Sequence, residues 1–413
     1  MGIRSIIIDF AKKNTFFRIT TRAAKNTFSK FVFRFHGSFK RIDTKMIYLN
    51  SFGGRSYSDS PKAIYEQMLK DERFNDYHFV WSFKDPEAYD FLKENGRTSV
   101  VKSNSIREKR ALMKAKYWIT NFRMADFAWP KANQIYLQCW HGTVFKKLGY
   151  DLKKSENAMN TISEIRNRYR TDAQRFTYLL TSCRYSTEKF ASIWNLKETG
   201  MEDKIIELGY PRNDILASHT EDDILRIREK LGFSPAESKK IILYAPTWRD
   251  NQHSSKLGYV YETQLDFERL RQSLGDEYVI LFRAHYLIAN SFDFEKYKGF
   301  VYDFSDYDDV NDLYLASDLL ITDYSSVFFD YAILKRPIIF YMYDIDQYRG
   351  KIHEFYFGPQ ELPGAIVETQ DKLVDAIHGI YDFDFSAKYE AFNDKFNYLN
   401  DGNSTERVIS KIF

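Results

Sequence analysis

Cysteine is the scarcest informative residue in this chain: 413 residues contain only Cys139 and Cys183. Two thiols so far apart make neither a disulfide framework nor a metal-ligand spacing, which fits a reducing compartment. Proline (9) and glycine (18) are also sparse, and no low-complexity linker or internal repeat breaks the chain. No apolar run reaches the about 18 residues that a membrane-spanning helix needs. The short apolar stretch Ser5–Ile8 has neither the core nor the cleavage site of a signal peptide, so secretion is not expected. Missing too are the Gly-Lys-Ser/Thr ending of a P-loop and the spacing of a dinucleotide fingerprint, which argues against an ATPase or a dehydrogenase. No acidic cluster marks a dedicated metal site.

Aromatic residues, in contrast, are abundant, with 30 Tyr and 35 Phe. They either fill cores or line stacking and lipid-facing surfaces. Charge is unevenly spread. Residues 1–45 carry eleven lysines and arginines against Asp9 and Asp43, a local charge of +9. Because the whole chain is +3, the remainder is −6. Ile6, Ile7, Ile8, Phe10, Phe16, Phe17, Phe28, Phe31, Phe33 and Phe35 are interleaved with those cations. Such a basic, aromatic, helical lead segment reads as an amphipathic anchor on an anionic membrane surface. The other reading is a helix packed on the body with a solvated basic face. Nucleic acid is not the expected partner, since the main body is acidic.

The length suits two domains. From Lys45 onward, short apolar runs alternate with amphipathic stretches. Strands are predicted at Met46–Asn50, Tyr77–Ser82, Thr98–Val101, Lys116–Thr120, Gln134–Trp140, Arg175–Thr181 and Ile205–Glu207. Helices are predicted at Ser60–Lys70, Pro86–Asn95, Ser105–Lys114 and Ile215–Gly232, with a hinge at Ser234–Lys240. A second series follows at Ile241–Tyr244, Tyr278–Phe282, Phe300–Tyr302, Leu319–Thr322 and Pro337–Tyr341, and the end of the chain from about Tyr389 reads as helical. Alternation of this kind means parallel sheets covered by helices on both faces. The expectation is therefore α/β, with two doubly wound Rossmann-like domains facing a cleft. Their bounds are 1–45 for the basic segment, 46–215 for the first domain, 216–240 for a linker region and 241–413 for the second domain.

Four strand ends finish in residues that suit phosphate chemistry. Leu319–Thr322 runs into Asp323-Tyr-Ser-Ser326 and a helical stretch, Val327–Leu334, which puts Ser325 or Ser326 at a helix start with free backbone N–H groups. Ile241–Tyr244 leads to Pro246, Thr247 and Arg249, and Val279–Phe282 to Arg283 and His285. Arg283 could hold phosphate oxygens bidentately. In the first domain a strand leads to Trp140-His141-Gly142-Thr143, with a helix expected directly after it and Thr143 as its cap. His141 then stands exposed at an elbow, a natural general base for an attacking hydroxyl. The loop after the first strand, with Gly53 and Gly54, adds flexible backbone on the acceptor side.

Together these segments resemble the CDP-glycerol glycerophosphotransferase family, the enzymes that prime and polymerise wall teichoic acid. The resemblance rests on Trp140–Thr143, Gly209-Tyr-Pro-Arg-Asn-Asp214, Tyr244-Ala-Pro-Thr-Trp-Arg249, Arg283-Ala-His285, Thr322-Asp-Tyr-Ser-Ser326 and Asp401-Gly-Asn-Ser-Thr-Glu-Arg407, all in family order. It implies a fold like the B-type glycosyltransferases, with an acceptor domain first and a nucleotide domain second. It also implies a peripheral position at the cytoplasmic membrane face. The implied reaction is attack by a hydroxyl of a lipid-linked acceptor on the alditol-bearing phosphate of CDP-glycerol or CDP-ribitol, with release of CMP. His141 would be the base and His285 a hydrogen-bond donor to phosphate. Arg283, Ser325, Ser326, Asp323, Thr247, Arg249 and Pro246 would hold the donor. Trp140, Gly142, Thr143, Gly53 and Gly54 would lie on the acceptor side. The sequence shows no required cofactor, and Mg²⁺ accompanying the diphosphate stays open. The alternatives are a glycosyltransferase using a nucleotide sugar and a non-catalytic membrane-bound scaffold.

Overall fold

The computed structural model describes residues 15–154, 160–234, 238–247, 253–254, 258–259, 265–284, 293–345, 354–382 and 384–413. The chain divides into two compact units. The first comprises residues 1–55, 71–138 and 175–178, and the second comprises 56–70, 139–174 and 179–413.

In the first unit, helix α1 (Thr15–Ser38) precedes strand β1 (Asp43–Asn50). The other strands are β2 (His78–Phe83), β3 (Thr98–Lys102), β4 (Ala115–Thr120) and β5 (Ile135–Gln138). They form a parallel sheet in the order β3-β2-β1-β4-β5. The inner runs Ile47–Asn50 and Phe79–Phe83 are buried throughout, as expected of strands covered on both faces. The predicted helix at Pro86–Asn95 is a 3₁₀ stretch, Glu87–Asn95, kinked at Tyr89. Order reverses between β1 and β4, the place where such sheets open a crevice. The loops after these two strands are joined there, with Phe52 N–H donating to Asn121 Oδ1 at 2.8 Å.

The second unit begins with helix α2 (Asp59–Lys70) and continues with all but the last residue of α4 (Ile162–Arg175), all but the first of β6 (Tyr178–Thr181), α5 (Arg184–Ile193) and β7 (Ile205–Glu207). Helix α3 (Ile106–Lys114) belongs to the first unit and is capped by Ser105, whose hydroxyl accepts from Glu108 N–H. The predicted helix at 215–232 is two helices, α6 (Asp214–Ser218) and α7 (Glu221–Lys230). A capping box of Thr220 and Asp223 starts the second of them. The six-stranded parallel sheet of this unit runs β12-β11-β8-β13-β14-β15. Its strands are β8 (Lys240–Ala245), β11 (Tyr278–Phe282), β12 (Val301–Asp303), β13 (Leu319–Thr322), β14 (Ile338–Tyr341) and β15 (Ala365–Val367), and the short pair β9 (His253–Ser254) and β10 (Gly258–Tyr259) stands outside it. Ile241–Ala245, Tyr278–Phe282, Leu319–Thr322 and Ile338–Tyr341 are fully buried runs. Helices α8 (Phe267–Leu274), α9 (Val310–Ala316), α10 (Val327–Tyr331), α11 (Gln370–His378), α12 (Ser386–Phe396) and α13 (Ser404–Ile412) follow among the described residues of the unit. Here the strand order reverses between β8 and β13.

The predicted α/β class with two parallel sheets is therefore observed. Helices α4 and α5 were not predicted from the sequence.

Candidate active site

The reversal between β8 and β13 brings together two of the strand ends singled out in the sequence. Leaving β8, the chain passes Pro246 to Thr247; leaving β13, it passes Asp323 to Ser326. Asp323 is buried and fastens the two exits, since its Oδ1 accepts from Thr247 N–H at 2.8 Å and from Tyr324 N–H at 2.5 Å. Its observed role is thus to hold backbone, where the sequence suggested a contact to a histidine or to the alditol. Ser326 is the N-cap of α10, but its side chain makes no capping bond. Behind this elbow an aromatic column supports the wall. Tyr324 stacks on Phe355 (5.6 Å between centroids) and Phe355 on Phe145 (4.5 Å).

The second wall is the segment that follows β5. The expected helix after Thr143 does not form. Residues 142–148 instead run in extended and irregular conformation, and Lys146 bridges Phe355 in antiparallel fashion. Tyr356 N–H donates to Phe145 O at 3.0 Å, and Lys147 N–H to Glu354 O at 2.8 Å. These non-local bonds satisfy backbone groups that a helix would have satisfied internally. Thr143 accordingly caps nothing; it is buried, with its hydroxyl 3.2 Å from Ser182 Oγ. Gly142 makes a close approach to the other wall, since a Cβ there would come within 3.2 Å of Ser326 Oγ. Its carbonyl accepts from the buried Tyr210 hydroxyl at 3.3 Å.

Between these walls lies a cavity of about 420 Å³, within the second unit. It is lined by Trp140, His141, Gly142 and Thr143, by Val144, Phe145, Lys146 and Leu148, and by Thr247, Tyr324, Ser325 and Ser326. The volume falls in the usual range of small-molecule sites, about 300–1,000 Å³. Its chemistry is an imidazole, a lysine ammonium and four aliphatic hydroxyls, with no carboxylate in the wall among the described residues. Such a set suits a phosphorylated ligand and a proton transfer.

The structure therefore unites His141, Trp140, Gly142, Thr143, Thr247, Ser325 and Ser326. The sequence pattern pointed to no role for Lys146. The expected helix hid it: in the extended segment Lys147 turns to Glu354 (Nζ to Oε2, 2.8 Å) while Lys146 faces the cavity. Arg283 is not brought to the cavity. Its Nη1 donates to the carbonyls of Tyr307 (2.6 Å) and Phe304 (3.2 Å), and burial pushes its pKa below the usual guanidinium value. Pro246 sits beside Thr247 without lining the space. Gly54, at φ +82°, lets the loop press on β2, for a Cβ would strike Ser103 Oγ and come within 3.0 Å of Ser82 O. Gly53 is also left-handed, at φ +68°. His285 and Arg249 lie outside the described residues.

Two motifs behind the family resemblance are bound to the fold and to each other by ion pairs and hydrogen bonds. Arg212 is buried and forms a forked ion pair with Asp330, with Nη2 at 3.0 Å from Oδ2 and Nε at 3.2 Å. Asn213 Nδ2 donates to the same carboxylate at 2.9 Å. Asp214 accepts from the N–H groups of Ser404 (2.9 Å) and Thr405 (2.7 Å), the start of α13. Arg407 donates to Asp401 and to Leu208 O. Gly209–Asp214 and Asp401–Arg407 thus clamp each other. Both cysteines are free and buried, and burial pushes the Cys139 and Cys183 thiols up, away from reactivity.

The sequence pattern of the family described as CDP-Glycerol:Poly(glycerophosphate) glycerophosphotransferase matches residues 31–413. A Staphylococcus aureus (strain NCTC 8325 / PS 47) protein, the teichoic acid glycerol-phosphate transferase, is 38% identical over 400 residues, 94% of this chain and 99% of that one. The teichoic acid poly(glycerol phosphate) polymerase of Bacillus spizizenii (strain W23) is 38% identical over 383 residues, 92% of this chain and 95% of that one. The chain spans about half the length of two other curated polymerases that it matches. The solved structure of the wall teichoic acid polymerase TagF superimposes with a TM-score of 0.83 at 36% identity, covering 99% of this chain and 95% of that one. A match over nearly the whole chain, a shared fold and a site fit for phosphate together place this protein in the CDP-glycerol:poly(glycerophosphate) glycerophosphotransferase family.

Proposed function

We infer that this chain transfers glycerol phosphate from CDP-glycerol to the hydroxyl end of a lipid-linked teichoic acid precursor, releasing CMP. The observation that carries the reading is the meeting of His141, Lys146, Thr247, Ser325 and Ser326 in one cavity. In the reaction an acceptor oxygen forms a bond to the glycerol-bearing phosphorus. The bond from that phosphorus to the bridging oxygen breaks, and CMP leaves with the electron pair. His141 takes the hydroxyl proton as general base. Lys146 and the hydroxyls of Thr247, Ser325 and Ser326 offset charge on the phosphate oxygens as it shifts toward the leaving group. The loop of Gly53 and Gly54, at the strand-order reversal of the first unit, is assigned to the acceptor side.

Among the described residues no helix is long and apolar enough to cross a membrane. Helix α1 supports peripheral docking on an anionic membrane at its cytoplasmic face. Phe28, Phe31 and Phe35 lie on one stripe of the helix and are 54–69% exposed, while Phe33 packs inward on Phe127 (5.5 Å). Lys25 and Arg34 flank that stripe, the arrangement of an interfacial helix.

The test is CMP release from CDP-glycerol and CDP-ribitol, each with and without a lipid-linked glycerol-phosphate acceptor, repeated in EDTA. Acceptor-dependent release from CDP-glycerol is expected. Release from CDP-ribitol alone would change the alditol. Consumption of a nucleotide sugar, with neither CDP-alditol used, would overturn the reading in favour of a glycosyltransferase. A fall in rate in EDTA would add Mg²⁺ to the donor.

A further inference from the structure

The residue before His141 has an unusual backbone. Trp140 sits at φ +53°, a left-handed conformation that bulky side chains rarely take. Such a conformation persists only where its surroundings enforce it. Here the enforcement is aromatic. Trp194 meets the Trp140 ring edge-on, at 4.8 Å and 86°, and Phe190 does so at 6.2 Å and 78°. Trp194 is in turn gripped by Phe190 (5.1 Å, 71°) and Tyr169 (5.1 Å, 65°). Both Phe190 and Trp194 are buried. Helix α5 and the residue after it therefore hold the indole on one side, and α4 buttresses them from behind.

Neighbouring side chains in an extended strand point to opposite faces. The left-handed turn at Trp140 cancels that alternation and places the two rings together. The Trp140 indole stacks on the His141 imidazole with centroids 4.3 Å apart and planes 30° apart.

We propose that Trp140 is a positioning residue for His141, its indole face fixing the imidazole at the cavity and stabilising the imidazolium that forms during transfer. The proposal rests on the reading of His141 as the base. In that step the acceptor hydroxyl loses its proton to an imidazole nitrogen as the new O–P bond forms, so positive charge appears on a ring already lying against a π face. A cation over an indole is attracted by the ring quadrupole, and the attraction exists only once the charge has developed. Among the described residues, the titratable groups that share the cavity wall with His141 are Lys146 and Tyr324, and Tyr169 stands behind the aromatic bracket. Lys146 opposes the imidazolium; the indole offsets it. Trp140 thereby moves from the acceptor-side contact suggested by the sequence to a role acting through its neighbour.

The experiment compares W140F, W140L and H141A in the full chain. It measures kcat, the KM for CDP-glycerol, the affinity for CDP-glycerol at equilibrium and the pH profile of kcat. Removing the indole removes an interaction with the protonated ring, so the imidazole pKa falls and the acidic limb of the profile moves to lower pH. For W140L the expected shift is about half a unit to one unit, with kcat down about tenfold or more as the imidazole loses its fixed orientation. CDP-glycerol affinity should change less than about twofold, which also shows that the variant is folded. W140F, which keeps a smaller ring, should fall between W140L and the parent. A W140L enzyme with parental kcat and an unmoved limb would overturn the proposal, as would equal losses in W140F and W140L without a limb shift. H141A separates the two levels. Loss of turnover in H141A with a silent W140L refutes the positioning role alone, whereas full turnover in H141A removes the base and the proposal with it.

Discussion

Arg212, part of a motif that carries the family resemblance, is held in a buried ion-pair network. Its guanidinium is buried among Asp330, Asp59 and Asn213, with Asp59 Oδ2 3.6 Å from Nη1. The neighbouring carboxylates hold its pKa above the ordinary guanidinium value against the opposing effect of burial. Removing one partner leaves an uncompensated buried charge, which costs about 3–5 kcal/mol. Asp330→Ala should therefore lower stability by that order in urea unfolding, and Arg212→Lys should also lose stability because an ammonium cannot reproduce the fork. An unfolding midpoint for D330A within error of the parent would refute this account. At the same scale, His141, Thr247, Ser325 and Ser326 were legible as site candidates because each follows a buried apolar strand. Lys146 was not, since its orientation depends on a backbone path that local sequence does not encode.

At the scale of elements, strands were read most reliably. Tyr278–Phe282 and Leu319–Thr322 coincide with their predicted bounds, because short apolar runs between polar turns leave little freedom. The start of α7 was not read, because the single helix expected over 215–232 ran through Thr220 and Asp223, which form its capping box. The segment after Thr143 misled, because an amphipathic pattern there serves a non-local pairing with residues 354–356. The loop after β1 is a sharper case. Gly54 combines a positive φ with contact against Ser103 and Ser82. Gly54→Ala should destabilise by about 1–3 kcal/mol, through backbone strain and steric displacement together. Thermal unfolding checks it: a G54A variant that melts with the parent would mean that the loop is free to move away.

For the whole molecule, the relevant property is where it resides. If α1 docks on an anionic surface, replacing Phe31 and Phe35 by Ser should markedly reduce flotation with vesicles containing anionic lipid. Raising the salt should weaken binding of the parent, since its cationic contribution is screened. Flotation of the double variant equal to the parent's would show that α1 is a solvated helix. Turnover on a short soluble acceptor should survive the double substitution, because neither residue lines the cavity.

Sequence by itself determined the α/β class, the strand ends that bear hydroxyls and histidine, and the basic aromatic lead. These follow from burial pattern and composition, which are local. Only the tertiary structure decided that Asp323 ties two strand exits together and that Arg212 and Arg283 are bound to the fold. It alone decided that Lys146 faces the cavity and that Trp140 lies flat on His141. Each of these depends on which distant segment satisfies a backbone group or grips a ring, and that choice is made by packing across the fold.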